Sequence, residues 1–256
     1  MRLIVNADDY GLKSSVNKAI IMSFQKKLIN STTIMANMPG FDEAVELAHK
    51  HEISDKIGIH LNLSEGNPLN SNMLNTKLFN TASKSDHRVF IKSLFFLSGN
   101  DKKLIFEEFA SQINKVRNSG IKISHIDTHH HIDEVWPITK IILSLLKEYN
   151  IPSMRILNNL NQSTRSYKLA YRRMINELII FKKANFSDFL GNMEEAISKL
   201  RNNKTIGMGQ CLEIMVHPDL NNESFIVDKT HEQEVLFDYP DDLKEILTSE
   251  FSGTYC

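Results

Sequence analysis

Short apolar runs alternate with longer amphipathic stretches along most of the chain. Residues 2–7 (RLIVNA) form an almost continuous apolar run, the pattern of a strand buried on both faces. Ser14 can cap a helix over 15–28, in which Val16, Ile20 and Phe24 share one face. Residues 32–36 (TTIMA) predict a second strand, Phe41–His49 a short helix, and 57–63 (IGIHLNL) a third strand. From Asp101 a helical stripe of Ile105, Phe109, Ile113 and Val116 runs to Gly120, a residue suited to the left-handed turn that ends helices. Residues 121–127 (IKISHID) and 152–157 (PSMRIL) predict the fourth and fifth strands, with a helix over Pro137–Tyr149 between them. A basic helix over 164–184, a strand over 186–190 and a helix over 193–200 follow. The run 211–216 (CLEIMV) is a further strand, ended by His217 and Pro218, and 231–248 predict a closing helix.

This repeated alternation implies parallel strands joined by helical crossovers. It predicts an α/β fold, a TIM-like β/α-barrel with irregular units, with a doubly wound open sheet as the alternative. No linker rich in Pro or Gly interrupts the pattern, so residues 1–256 read as one domain. Residues 64–100 break the rhythm: they are rich in Asn, Ser and Thr and read as a long loop insertion with a short helix near Val89–Leu97.

Composition narrows the function. Lys and Arg total 30 against 31 Asp and Glu, a net charge of −1, which argues against nucleic-acid binding by bulk charge. The two cysteines do not make a disulfide framework, and the opening apolar run, Leu3–Val5, is too short for a secretion signal. No stretch approaches the roughly 18–20 apolar residues of a membrane span. A cytoplasmic protein without membrane or nucleic-acid partners is the expectation.

What stands out is ten histidines, four of them at His125, His129, His130 and His131. In a β/α-barrel, chemistry sits at the C-terminal ends of the strands. Those ends carry Asn6, Asp8 and Asp9; His60 and Asn62; Asp127, His129, His130 and His131; Arg155; and Glu213 with His217. Unpartnered charges are costly to bury, so ionisable residues recurring at five strand ends point to a site. Asp is common in turns, but two adjacent carboxylates repel, and the pair suits a division between metal ligand and general base. If the fourth strand runs on, Asp127, His129 and His131 share one face, and neighbouring imidazoles on a strand chelate divalent ions. His217, titrating near neutrality, suits a general acid, and Glu213 on the same strand can orient a site group.

The segments Asn6-Ala7-Asp8-Asp9-Tyr10-Gly11, Gly58-Ile59-His60, Ser124 through His131, Met154-Arg155 and Leu212 through Pro218 together resemble the YdjC-like carbohydrate deacetylase family. Its best-known members remove acetyl groups from chitooligosaccharides. The resemblance implies a β/α-barrel variant, often homodimeric, with Asp9, His60 and His129 as ligands of one divalent ion. It implies Asp8 as general base and His217 as general acid. Arg155 and His131, joined by Glu213, are then expected to line the substrate pocket. Mixed Asp and His ligands suit Zn, Co or Mn, and an oxygen-rich shell completed by water suits Mg. The expected enzyme is a hydrolase of carbohydrate metabolism that cleaves the acetamide of an amino sugar or short oligosaccharide. The alternatives are another metal-dependent barrel hydrolase, such as a phosphoesterase, and a non-catalytic sugar-binding protein.

Overall fold

The computed structural model describes residues 1–74, 76, 91–161, 165–181, 185–201, 207, 209–222, 225–230 and 235–240. Its centre is β1 (Arg2–Tyr10), flanked in parallel by β2 (Ser31–Ile34) and β7 (Cys211–Val216). With β3 (Ile57–Leu61), β4 (His125–Thr128), β5 (Ser153–Met154) and β6 (Phe189–Asn192) they form one seven-stranded sheet, in the order β5-β4-β3-β2-β1-β7-β6. Every pairing within it is parallel. The sheet curls into a half-barrel. This is an α/β, barrel-like arrangement of the kind the alternation predicts, present as a half-barrel of seven parallel strands. A lone parallel bridge between Ser153 and Asn185 lies where the curl approaches itself.

Strand alternation separates two environments. Leu3, Val5 and Ala7 of β1 and Leu212, Ile214 and Val216 of β7 join the large apolar core shared with the helices. Those helices are α1 (Ser14–Gln25), α2 (Phe41–Lys50), α3 (Gly99–Asn118), α4 (Trp136–Glu148), α5 (Ser166–Phe181) and α6 (Met193–Arg201). Each fully buried Leu, Ile or Val there contributes about 1.5–3 kcal/mol. On the inner face the apolar groups are small, Ile4 with Cys211, and Ile156 with Leu190 and Met215. The remaining inner positions are polar: Asn6, Asp8, Asp127 and Glu213 are all buried. The outer core thus holds the sheet together, and the inner face is left for polar chemistry.

Local chemistry explains where elements depart from the expected bounds. Ser14 does not cap α1; it is the first helical residue, and its hydroxyl donates to Glu43 at 2.8 Å. Helix α3 starts at Gly99, before Asp101, because Ser98 and Asp101 form a reciprocal capping box. It ends as expected, with Gly120 in the left-handed region at φ 85. Strand β5 keeps only two of its expected residues. The closing helix fails where it is described: Val235–Leu236 form β10, antiparallel to β9 (Ile226–Asp228), which pairs with β8 (Pro218–Leu220). Beyond β10 a period of two governs, since Phe237 and Tyr239 are buried while Leu236 and Asp238 are exposed. The Tyr239 hydroxyl donates to the Leu28 carbonyl. The rest of 231–248 lies outside the described residues.

The start of the insertion is fastened to α3. Gln112 accepts from Asn62 N–H and donates to the Asn62 carbonyl, at 3.0 and 2.7 Å. Buried Glu108 accepts the backbone N–H groups of Leu69 and Asn70 at 3.1 and 2.7 Å. Of the short helix expected near Val89–Leu97, residues 91–93 are helical and Leu94–Phe96 form a 3-10 turn, while Val89 and Phe90 lie outside the described residues. Among the described residues no helix is long and apolar enough to cross a membrane.

Gly58 and His125 form a packed pair across β3 and β4. A Cβ on Gly58 would stand 2.4 Å from the His125 imidazole, and that ring is fully buried. Gly58→Ala is expected to lower unfolding free energy by about 1–3 kcal/mol in urea titrations. Burial, more than any one neighbour, pushes the His125 imidazole down to about 4. The unfolded chain binds this proton near 6.5 and the folded protein only near 4, so this stabilisation is complete above pH 6.5 and is lost as pH falls towards 4. The urea midpoint of a His125→Asn variant is therefore expected to change less between pH 7 and pH 4 than that of the parent.

Candidate active site

Asp8 and Asp9 are neighbours in a strand, and regular alternation would send them to opposite faces. The chain avoids this with a bulge. The pairing of β1 with β2 shifts register between Ala7 and Tyr10, and Asp9 adopts φ 68. A non-glycine residue in that region costs on the order of 1–3 kcal/mol, and the extra residue re-aims its side chain. Asp8 keeps the inner face with Asn6, whose amide donates to Asp8 Oδ1 at 2.8 Å. Asp9 turns to the same end of the sheet and meets two histidines.

Beneath Asp9 lies a buried ionic cluster. The Arg155 guanidinium grips Asp8 with both terminal nitrogens, each at 2.7 Å. Its Nη1 reaches Asp127 Oδ2 at 2.8 Å and its Nε donates to Glu213 Oε1 at 2.6 Å. The Arg155 side chain is 2% exposed and the three carboxylates 2% or less, so water screens none of these charges. Ser187 donates to the second Glu213 oxygen at 3.0 Å, and Thr33 to Asp127 Oδ2 at 2.9 Å. Burial alone would raise the Asp8 carboxyl, but the Arg155 charge and hydrogen bonds override it and hold it well below the usual carboxylate range.

The histidines are set by strand register. His60 on β3 pairs with Asp127 on β4, so their side chains stand together. His60 Nδ1 meets Asp127 Oδ1 at 2.7 Å, leaving Nε2 directed at Asp9 Oδ1, 3.2 Å away. His129 Nδ1 meets the same Asp9 oxygen at 2.9 Å. Burial works against a charged imidazole at both positions, yet the surrounding carboxylates raise His60 well above its ordinary value and also raise His129. The cluster therefore draws positive charge to this point.

The donor set fits a divalent ion. One carboxylate oxygen and two imidazole nitrogens lie within 4.8 Å of one another. Ligands bound at about 2.0–2.2 Å to one ion are themselves about 3 Å apart, the spacing seen around Asp9. The Asp127–His60 contact is of the kind by which an outer carboxylate would fix a ligating imidazole. Two other groupings have ligand-like spacing, Glu65 with His129 and His130, and Asp8 with His60 and Asp127. The first shares His129, and a neutral imidazole has a single lone pair to give. The second already surrounds Arg155. Asp9, His60 and His129 are thus the set best suited to the ion.

The other expected site residues are placed as follows. His217 follows β7, with Nε2 3.8 Å from Asp8 Oδ2. Arg155 and Glu213, expected to line a substrate pocket, are buried and pair with each other beneath Asp8. The expected shared face of Asp127, His129 and His131 does not form. Strand β4 ends at Thr128, and His130 and His131 take left-handed φ of 55 and 52, turning the chain away. His131 is exposed to solvent. The sequence reading missed Thr33, Ser187 and Glu65, whose oxygen lies 3.5 Å from His129 Nε2. Small hydroxyl residues and one loop carboxylate carry no spacing signal. Asp127 was visible at its strand end, but its double contact with His60 and Arg155 needed the register.

An open parallel half-barrel with a buried Arg-carboxylate cluster and an Asp-His-His set at its strand ends defines an α/β protein with a candidate metal centre. Residues 2–249 match the family of YdjC-like proteins, and the chain belongs to that family. It is 36% identical over 156 residues to a carbohydrate deacetylase of Clostridium beijerinckii, covering 61% of this chain and 60% of that protein. It is 32% identical over 229 residues to a carbohydrate deacetylase of Listeria welshimeri, covering 88% of this chain and 84% of that one. The match to the first of these relatives thus spans about three fifths of its length. A solved structure from Enterococcus faecalis, described as a cellobiose-phosphate cleavage protein, shares the fold with TM-score 0.66 at 23% identity, over 97% of this chain and 91% of that one.

Removing the guanidinium would strand three buried carboxylates. Arg155→Met is expected to cost about 3–5 kcal/mol of unfolding free energy, with Arg155→Lys recovering part of it, as read by urea denaturation.

Proposed function

We propose that the protein is a metal-dependent carbohydrate deacetylase, which hydrolyses the acetamide of an N-acetylated amino sugar or a short oligosaccharide such as a chitooligosaccharide. The observation that carries this reading is the meeting of Asp9, His60 and His129 with Asp8 and His217 at one end of the sheet. Relatives named carbohydrate deacetylase support it.

Asp9, His60 and His129 would hold one divalent ion, Mg or Zn, with Co or Mn also suited to the donors. When bound, such an ion polarises the acetyl carbonyl and lowers the pKa of water. Asp127 keeps His60 Nδ1 engaged, so that Nε2 faces Asp9 and would be free to ligate. Arg155 holds Asp8 ionised and fixed, ready to accept a proton as water adds to the acetyl carbon. The tight guanidinium contact also keeps Asp8 a weak base, so the proton it takes is readily passed on. His217, 3.8 Å from Asp8, is placed to protonate the sugar nitrogen as the C–N bond breaks. Acetate and a free amine leave. Arg155 and Glu213, buried beneath Asp8, are positioning residues in this scheme, and His131 at the open mouth is the group left to meet the sugar.

Acetate release from N,N′-diacetylchitobiose tests the reading. Activity is expected to vanish on chelation and return with one of the four ions. Asp8→Asn and His217→Ala are each expected to lower kcat by about 10²- to 10⁴-fold. Acetate release that persists in a chelated Asp9→Asn variant would sink the metal assignment. Phosphate release from sugar phosphates without acetate release would move the protein to the phosphoesterases.

A further inference from the structure

The small antiparallel sheet folds back on His217. The Lys229 N–H donates to the His217 carbonyl at 3.0 Å, and His217 N–H donates to Asp228 Oδ1 at 2.9 Å. The same carboxylate oxygen accepts the Thr230 N–H at 3.0 Å and the Thr230 hydroxyl at 2.6 Å. Thr230 Oγ1 also lies 3.1 Å from His217 Nδ1.

A hydroxyl has one hydrogen, and here it is committed to Asp228. The Thr230 oxygen can then only accept from His217, so the ring carries its proton on Nδ1. Nε2 is left facing Asp8. We propose that Asp228 and Thr230 form a hydroxyl-bridged relay that fixes the tautomer and direction of His217, making both of them positioning residues. This rests on the reading of His217 as the group that serves the leaving nitrogen. Its geometry requires β8 and β9: Pro218 pairs with Asp228 in that sheet, which brings Asp228 and Thr230 back to a histidine eleven and thirteen residues earlier. With Nδ1 engaged, every proton His217 gains or gives is exchanged at Nε2, on the side of the reacting atoms.

Nitrogen-15 NMR of the histidine rings reads the tautomer without turnover, with His217→Ala identifying the resonance. The parent is expected to show His217 protonated on Nδ1 in its neutral form. Thr230→Val removes the acceptor and is expected to shift the neutral ring towards Nε2–H. Asp228→Ala frees the hydroxyl hydrogen to turn towards Nδ1 and is expected to do the same. Thr230→Ser is expected to restore the parent spectrum. In acetate-release assays Thr230→Val is expected to lower kcat about 10- to 100-fold with KM little changed, and Thr230→Ser to recover it. A Thr230→Val protein that keeps the Nδ1–H signature, or a parent that shows Nε2–H, overturns the relay. Absence of acetate release from the parent would count against the deacetylase reading alone, because the tautomer is measured independently of turnover.

Discussion

Three carboxylates converge on the buried inner face of a parallel sheet, and the Arg155 guanidinium is the cation they meet. Asp8 comes from β1, Asp127 from β4 and Glu213 from β7, while Arg155 follows β5. One planar fork therefore joins four strands through side chains, in addition to the backbone ladder. Lysine could neutralise one partner but could not address three directions at fixed angles. The cluster need not add to net stability, since desolvation offsets much of the attraction. What it supplies is position. Asp127 gives one oxygen to Arg155 and the other to His60, while Asp8 is held by both oxygens, one of which lies 3.8 Å from His217 Nε2.

Asp9 completes the arrangement at a local cost. Its left-handed backbone breaks the alternation that would have hidden its side chain. The strain of one residue is repaid by placing two consecutive carboxylates in one site with different surroundings. Asp8 is locked by a guanidinium, and Asp9 is left to the imidazoles. The same bond pattern separates their chemistry, because a carboxylate held by a permanent cation and one met by titratable imidazoles are different reagents.

The parts of this protein legible in its sequence are those where one face is buried throughout. Strands β1 and β7 and helix α3 have long apolar patterns with clear stops, and Gly120 ended its helix as its residue type suggested. The family motifs marked Asp8, Asp9, His60, His129, Arg155 and His217, and the structure brings these to one end of the sheet. What was not legible depends on contacts across strands. Nothing local tells that Arg155 points inward to three acids rather than outward to a ligand, because a single Arg after a strand has no periodic signature. His131 has the spacing of a continuing β4, yet His130 and His131 are both left-handed, and histidine tolerates that conformation without announcing it. Over 235–240, where the sequence predicts helix, the alternating burial of Phe237 and Tyr239 marks extended chain, a period too short-lived in the sequence to stand out.

The fastening of residues 62–70 to α3 has a mechanical consequence. Gln112 clamps Asn62 by both backbone groups, and Glu108 holds Leu69 and Asn70. His60, two residues before this clamp, is therefore insulated from the chain that follows it. Residues beyond Asn70 can be lengthened, shortened or rewritten without a lever arm reaching the imidazole. A change of length beyond Asn70 therefore leaves the spacing of the candidate metal site at the sheet's end untouched.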